Sequence, residues 1–376
     1  MKKAKTEKVS IENSTDATQK NKMIHMEILR IIAALFVIFN HSSMHGYFLF
    51  SLYPFATRPY FSYMAFTVIS KNNVPIFLMI TGALLLKKDL DTKKIIQKIV
   101  RMLIVLVVFT AVFYIRLHVL EYSDTFTISD FFVRLYEGNI IIPYWYIYAY
   151  ISFLLAFPFL RAMVKSLPDK AYRYLIYLAT IFMGLIPCIE YRLFSGDATL
   201  NQYGKIGWLC SSIVLYPLVG YYLENKVDIS KISKKNLLLL CGASAFGVAV
   251  SCYMTYYKHR ITGYCTEAKT QDFMDAFVLI QSVTLYLLVK IGCTKIKFPN
   301  WLNKSILSVG SCTFGIYLVH LAIIESKFVF YMFDKMTLEY HINCMLTIWL
   351  LCIMTMFISY TITFVLRLIP GVKKLI

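Results

Sequence analysis

Residues 26–46 read MEILRIIAALFVIFNHSSMHG. Between Arg30 and His41 stand ten uncharged residues, all apolar but Asn40. Eleven steps of 100° bring Arg30 and His41 onto one helical face, about 16 Å apart along the axis. The run follows a long polar leader and lacks a small-residue cleavage site, so it reads as a retained membrane helix rather than a signal peptide. Ionisable groups inside such a helix cost roughly 2.5–3.5 kcal/mol, which makes each a functional candidate. The plainer alternatives are snorkelling to headgroups for Arg30 and an interhelical hydrogen bond for His41. Glu27, three residues before Arg30, is spaced to pair with it.

The rest of the chain extends this reading. Of its 376 residues, 58% are apolar or aromatic and only 16% charged, yet the net charge is +18. Mean hydropathy is +0.61. Disorder needs low hydrophobicity, and a soluble globular chain carries about 25% charged residues, so both are excluded for the bulk of the chain. Ten apolar stretches near the spanning length of about 20 residues fall at 28–48, 67–86, 99–118, 143–163, 174–191, 206–223, 236–256, 273–291, 306–325 and 343–367. The aromatic segment 49–66 suits an interfacial position. The expected fold is therefore all-α, a polytopic membrane bundle of about ten helices. Residues 1–24 form a polar, disordered tail, and 25–376 form a single transmembrane domain with no loop long enough for a folded module.

The 39 Lys and Arg residues decide what the excess charge means. They concentrate in the tail and in every second connection, leaving about +19 on one side and about −1 on the other, the pattern that places both termini in the cytoplasm. A nucleic-acid surface would not alternate in this way, so no nucleic-acid partner is expected. Trp145, Trp208, Trp301 and Trp349 fall near span ends, as interfacial aromatics do.

Two further sites stand out. In TKKIIQKIVRMLIV, residues 92–105, Lys94, Lys98 and Arg101 share a helical face. Positive-inside anchoring explains them. So does a phosphate-binding mouth, because Arg forks onto phosphate oxygens and Lys supplies a point charge. In ILSVGSCTFGIYLVHLAIIES, Gly310, Ser311 and Gly315 permit close helix approach, and His320 and Glu325 lie toward the outer end. The nine cysteines lack a C-x-x-C pair and read as apolar fillers, with one outer bridge involving Cys265 left open. Neither a phosphate-binding glycine loop nor a metal-ligand spacing is present.

At this point a family resemblance becomes specific. LRIIAALFVIFNH resembles the first-helix signature of the membrane-bound acyltransferase 3 family, an Arg, ten residues, then a His; Arg30 and His41 fit it. NNVPIFLMITGALLLKK resembles the second-helix phrase, with Thr81 in place of the Ser of Ser-Gly. KIIQKIVRML resembles the Arg-x-x-Arg motif, with Lys98 for the first Arg. YWYIYAYISFLLAFPFLRAMV, IVLYPLVGYYLENK, SCTFGIYLVHL and RLIPGVKKLI resemble later motifs, in family order, across residues 25–376.

The resemblance implies an O-acyltransferase of the bacterial plasma membrane, moving an acyl group, most often acetyl, from cytoplasmic acyl-CoA to a hydroxyl of a cell-envelope or exported glycan or glycolipid. Acyl-CoA is then a donor substrate and no cofactor is permanently bound. Arg30, Lys98 and Arg101 are the expected clamp for the coenzyme phosphates. His41, with Arg30 beside it, is the expected catalytic group, as general base or acyl carrier. His320, Trp145 and Tyr146 are expected to line the acceptor side. Some relatives carry an extracytoplasmic esterase-like domain. None is seen here, so the chain is expected to act alone or to pass the acyl group to an extracytoplasmic partner. The competing reading is a membrane transporter of a small solute, such as an amino acid, or of a lipid-linked saccharide.

Overall fold

The computed structural model describes residues 24–121, 127–194, 211–262 and 275–376. The polar tail (but for Ile24), Trp208, Cys210 and Cys265 lie outside them. Every regular element within them is helical. The first helix, α1, covers 24–40. It is followed by short 3-10 turns and then α2 (Arg58–Ser70), α3 (Asn73–Leu85), α4 (Thr92–Glu121), α5 (Ile128–Glu137) and α6 (Trp145–Ser166). Next come α7 (Asp169–Ala179), which a π turn joins to α8 (Ile186–Phe194), and α9 (Ser212–Asn225). The remainder is α10 (Lys234–Thr262), α11 (Val278–Lys295), α12 (Asn300–Ser311), α13 (Thr313–Ile324), α14 (Lys327–Asp334), α15 (Cys344–Leu366) and α16 (Pro370–Leu375).

The pattern of exposure is that of a protein dissolved in lipid. On α15, Leu346, Leu350, Ile353, Phe357 and Phe364 are exposed, while Thr347, Leu351, Thr355, Ser359 and Thr363 are buried at four-residue spacing. The hydroxyl stripe faces protein and the large apolar stripe faces outward, the reverse of a soluble helix. On α4, Ile96, Val100, Leu103, Ile104, Val107, Val108, Val112 and Ile115 are likewise exposed. The chain is a multi-pass membrane protein.

Among the described residues, seven helical stretches are long and apolar enough to cross a membrane. The bent pair α12–α13, angled by 68°, makes up to eight. The map of ten is therefore not reproduced by length alone. The described part of α1, 24–40, and the 14 residues of α9 are shorter than the roughly 20 residues a bilayer core requires. The first span was expected to reach residue 48, yet its helix stops at residue 40. There Ser42 Oγ donates to Phe39 O at 2.6 Å and accepts from Tyr47 N at 3.0 Å, which turns the chain away. Segment 49–66 also departs from a purely interfacial role, because α2 and α3 together form one span, Arg58–Leu85.

Small residues set the centre of the bundle. A Cβ on Gly82 of α3 would strike the backbone of Pro217 on α9, and one on Gly220 would strike the backbone of Met79 on α3. The two short helices therefore cross backbone to backbone, within one buried cluster that also holds Leu29, Phe153, Leu154 and Tyr286. On the other side, Gly315 of α13 admits Thr363 of α15. This fixes α13 close to α15. The seven described cysteines are all free.

Candidate active site

His41 stands just past the last turn of α1, its backbone N–H donating to Val37 O at 3.3 Å and Ile38 O at 3.1 Å. Its Nδ1 lies 3.1 Å from Nε2 of His320 on α13. His320 is fully buried, and its Nδ1 lies 2.6 Å from the carbonyl of Tyr317. A carbonyl only accepts, so His320 Nδ1 carries a hydrogen. With that ring neutral, its Nε2 is an acceptor, and His41 Nδ1 must be the donor to it. The chain of bonds ends at His41 Nε2, which retains its lone pair.

His41 forms part of the wall of a cavity of about 550 Å³, together with Asn40, Tyr47, Lys71, Trp145 and Asp275. A second cavity, of about 330 Å³, contains Arg30, Arg101, Tyr150 and Ser311 in its wall. Val37, Val74, Tyr146 and Tyr317 belong to both. These four side chains are the partition between the two spaces. Helix α1 links them directly: Arg30, Val37 and His41 lie on one face, with Val37 four residues before His41. Tyr317 is braced in the partition by its hydroxyl, which donates to Pro143 O at 2.6 Å. In return Tyr144 donates to Leu318 O at 2.7 Å. The ring of Tyr146 meets that of Tyr317 edge-on at 5.7 Å.

At the basic end, Arg30 Nη1 donates to Glu27 Oε1 at 2.5 Å. The expected pairing of these two residues is therefore present. Arg101 donates from Nε and Nη2 to Leu375 O at 3.0 and 2.8 Å, which anchors α16. Lys98, one turn earlier on α4, is half-buried and lies outside the wall of this cavity. Glu224 Oε2 meets His25, Lys290 and Tyr286, each at 3.1 Å. That buried knot ties the start of α1 to α9 and α11.

The arrangement thus sets fixed cationic groups on one side of an aromatic partition and an imidazole with an open nitrogen on the other. Among the described residues no group of His, Cys, Asp and Glu could hold a metal ion. The family model of an acyltransferase domain matches residues 24–364. The chain belongs to acyltransferase family 3. Comparison with curated proteins and with solved structures finds no match to either. The matched region of this membrane acyltransferase includes every residue of both cavities.

The structure brings together Arg30 with Arg101, and His41 with Trp145 and Tyr146. It places His320 against His41 rather than on the cavity wall. Lys71 was missed by sequence reasoning. Its signal was present, an ammonium inside the expected span 67–86, and it belonged beside Arg30 and His41 as an ionisable group in lipid. Glu224 carried no signal, since its partners come from α1 and α11.

Proposed function

We propose that this acyltransferase carries an acyl group, acetyl by family frequency, from cytoplasmic acyl-CoA to a hydroxyl of a cell-envelope glycan or glycolipid. The observation that carries the reading is the open Nε2 of His41 in a cavity that adjoins, across Tyr146 and Tyr317, the cavity of Arg30 and Arg101. The coenzyme's phosphates are too charged to enter lipid and dock at the guanidinium groups, with Lys98 adding to the local positive field. The thin acyl-pantetheine arm passes the partition. The acceptor enters from the other side, between Trp145 and Tyr146.

In the transfer step His41 Nε2 takes the proton of the acceptor hydroxyl as its oxygen attacks the thioester carbonyl. The carbon–sulfur bond breaks, and the leaving thiolate receives the proton. The imidazolium formed in between lies at the C-terminal end of α1, where the helix dipole favours a positive charge. His320 holds the ring through Nδ1, so Nε2 faces the reactants. Whether or not an extracytoplasmic partner receives the product, the same step loads the acceptor.

The test is deletion of the gene from its host, followed by mass spectrometry of envelope glycans before and after mild alkali. Loss of an alkali-labile acyl group of defined mass supports the reading and names the acyl chain. An unchanged glycan profile refutes it. Solute transport is a second reading, because interrupted helices border both cavities: α12–α13 beside the arginines and α2–α3 beside His41. Transporters build their sites from such breaks. Movement of labelled solute into vesicles without release of free coenzyme A selects that reading.

A further inference from the structure

Lys71 is a charged side chain midway along the apolar span Arg58–Leu85, and the transfer step gives it no task. It occupies the turn between α2 and α3, is only 13% exposed, and forms part of the wall of the His41 cavity. An ammonium at such a position is costly and calls for a function.

The turn that carries it is a built feature. Asn72 Nδ2 donates to Gln281 Oε1 at 3.2 Å, and Ser282 Oγ donates to Asn72 Oδ1 at 2.7 Å. On its other flank Ser70 Oγ donates to Asn40 Oδ1 at 2.5 Å. Asn40 is the neighbour of His41. The same frame therefore fixes Lys71 and His41 on one wall.

Tyr47 and Asp275 each take a hydrogen bond from Lys71, and an ammonium has three donors. Its Nζ lies 5.2 Å from the centre of the Tyr47 ring and 3.7 Å from Asp275 Oδ2, whose side chain is 63% exposed. Charge-assisted hydrogen bonds run to about 2.7–2.9 Å, shorter than the 3.7 Å between Lys71 and Asp275. An anion with better geometry inside the cavity outcompetes such a carboxylate.

We infer that the His41 cavity takes an acceptor bearing a phosphate or carboxylate near its reacting hydroxyl, and that Lys71 holds this anion while His41 meets the hydroxyl. The inference deepens the acyl-transfer reading and rests on it for the hydroxyl; the anion preference itself does not depend on it. The chemistry disfavours a purely neutral polyol as the preferred ligand, because it would add no charge opposite the ammonium beyond that of Asp275.

The test is titration of the full-length protein in lipid nanodiscs with glucose 6-phosphate and with glucose, read by thermal unfolding. The expected result is at least about tenfold tighter binding of the phosphorylated sugar, the scale of one hydrogen bond to a charged group. Lys71→Gln should abolish the preference and Lys71→Arg should keep it. In these proteins, two results overturn the proposal: no preference in the wild-type protein, or an undiminished preference in Lys71→Gln. Arg101→Gln is the second variant: a preference that persists there separates the anion from the arginine cavity and supports the proposal, and a preference lost there overturns it. Adding acetyl-CoA to the same samples separates the two ideas. Absence of free coenzyme A with every acceptor sinks acyl transfer and leaves an observed anion preference standing.

Discussion

The cavity beside Arg30 and the cavity beside His41 share a wall and differ in what their polar groups have available. Arg30 is paired with Glu27 and Arg101 with the carbonyl of Leu375, so both guanidinium groups are held in place yet keep further N–H donors. The opposite cavity contains an imidazole whose Nδ1 is committed and whose Nε2 is open. On the proposed reading, one side binds the donor's fixed charge and the other moves a proton. The difference teaches that a single helix face, Arg30 to His41, passes through two environments separated by Val37, Val74, Tyr146 and Tyr317, which is what lets the proposed reading give it two tasks.

The largest effect expected from this division is at His41. His41→Ala should lower the turnover of purified protein, followed as free coenzyme A, by about 10²–10⁴-fold, the usual cost of removing a positioned base. Donor binding should be unchanged, since the two tasks are separate. A rise in donor KM with turnover intact would break the comparison. His320 touches His41 and is a positioning residue, so its effect should be smaller. His320→Ala should cost about 10–100-fold in kcat with both KM values unmoved, below the range for removing the base itself. His320→Gln, which keeps an acceptor oxygen for His41 Nδ1, should recover part of the loss. If Gln and Ala are equally poor, the bond between the two rings is not what orients His41.

The basic side should respond in KM instead. Arg101→Gln retains a donor for Leu375 O while removing the charge. It should raise the KM for acetyl-CoA about tenfold, at the lower end for a hydrogen bond to a charged group. The deficit should shrink at high salt, which screens the wild-type attraction. A fall in kcat alone, with KM held, would mean that Arg101 acts in the chemistry rather than in binding, and the division would fail on that side.

How much of this was legible in the sequence follows from the distance over which each feature is encoded. The shared face of Arg30 and His41 and the Glu27–Arg30 pair are set by helical periodicity over a few turns, and both are present. The seven motifs in order point to the family that the match over residues 24–364 establishes. The His41–His320 bond joins residues 279 apart. It depends on the tertiary placement of α13, which Gly315 packs against Thr363 of α15 and which a bend sets off from α12. No local pattern encodes that. The stop of α1 at residue 40 depends on the side chain of Ser42 bonding two backbone groups, which hydropathy does not register. Lys71 was legible and passed over, because it falls near the start of the expected span 67–86, whereas the span that forms is Arg58–Leu85 and Lys71 stands midway along it.

The smallest expected effect tests the partition itself. Tyr317 lines both cavities and its hydroxyl is bound to Pro143 O at 2.6 Å. Tyr317→Phe keeps the ring that separates the spaces and deletes one hydrogen bond, leaving the Pro143 carbonyl without that donor. The loss should be about 1–3 kcal/mol of stability, the cost of an unsatisfied buried polar group, visible as a lower unfolding midpoint. Turnover should stay within about fivefold, since an effect of 1 kcal/mol on a barrier is worth about that much. The hydroxyl is directed at a backbone carbonyl rather than at His41, so it is not in line to exchange a proton with the reactants. A loss approaching that of His41→Ala would show that the partition takes part in the chemistry, and the separation of a binding side from a reacting side would have to be abandoned.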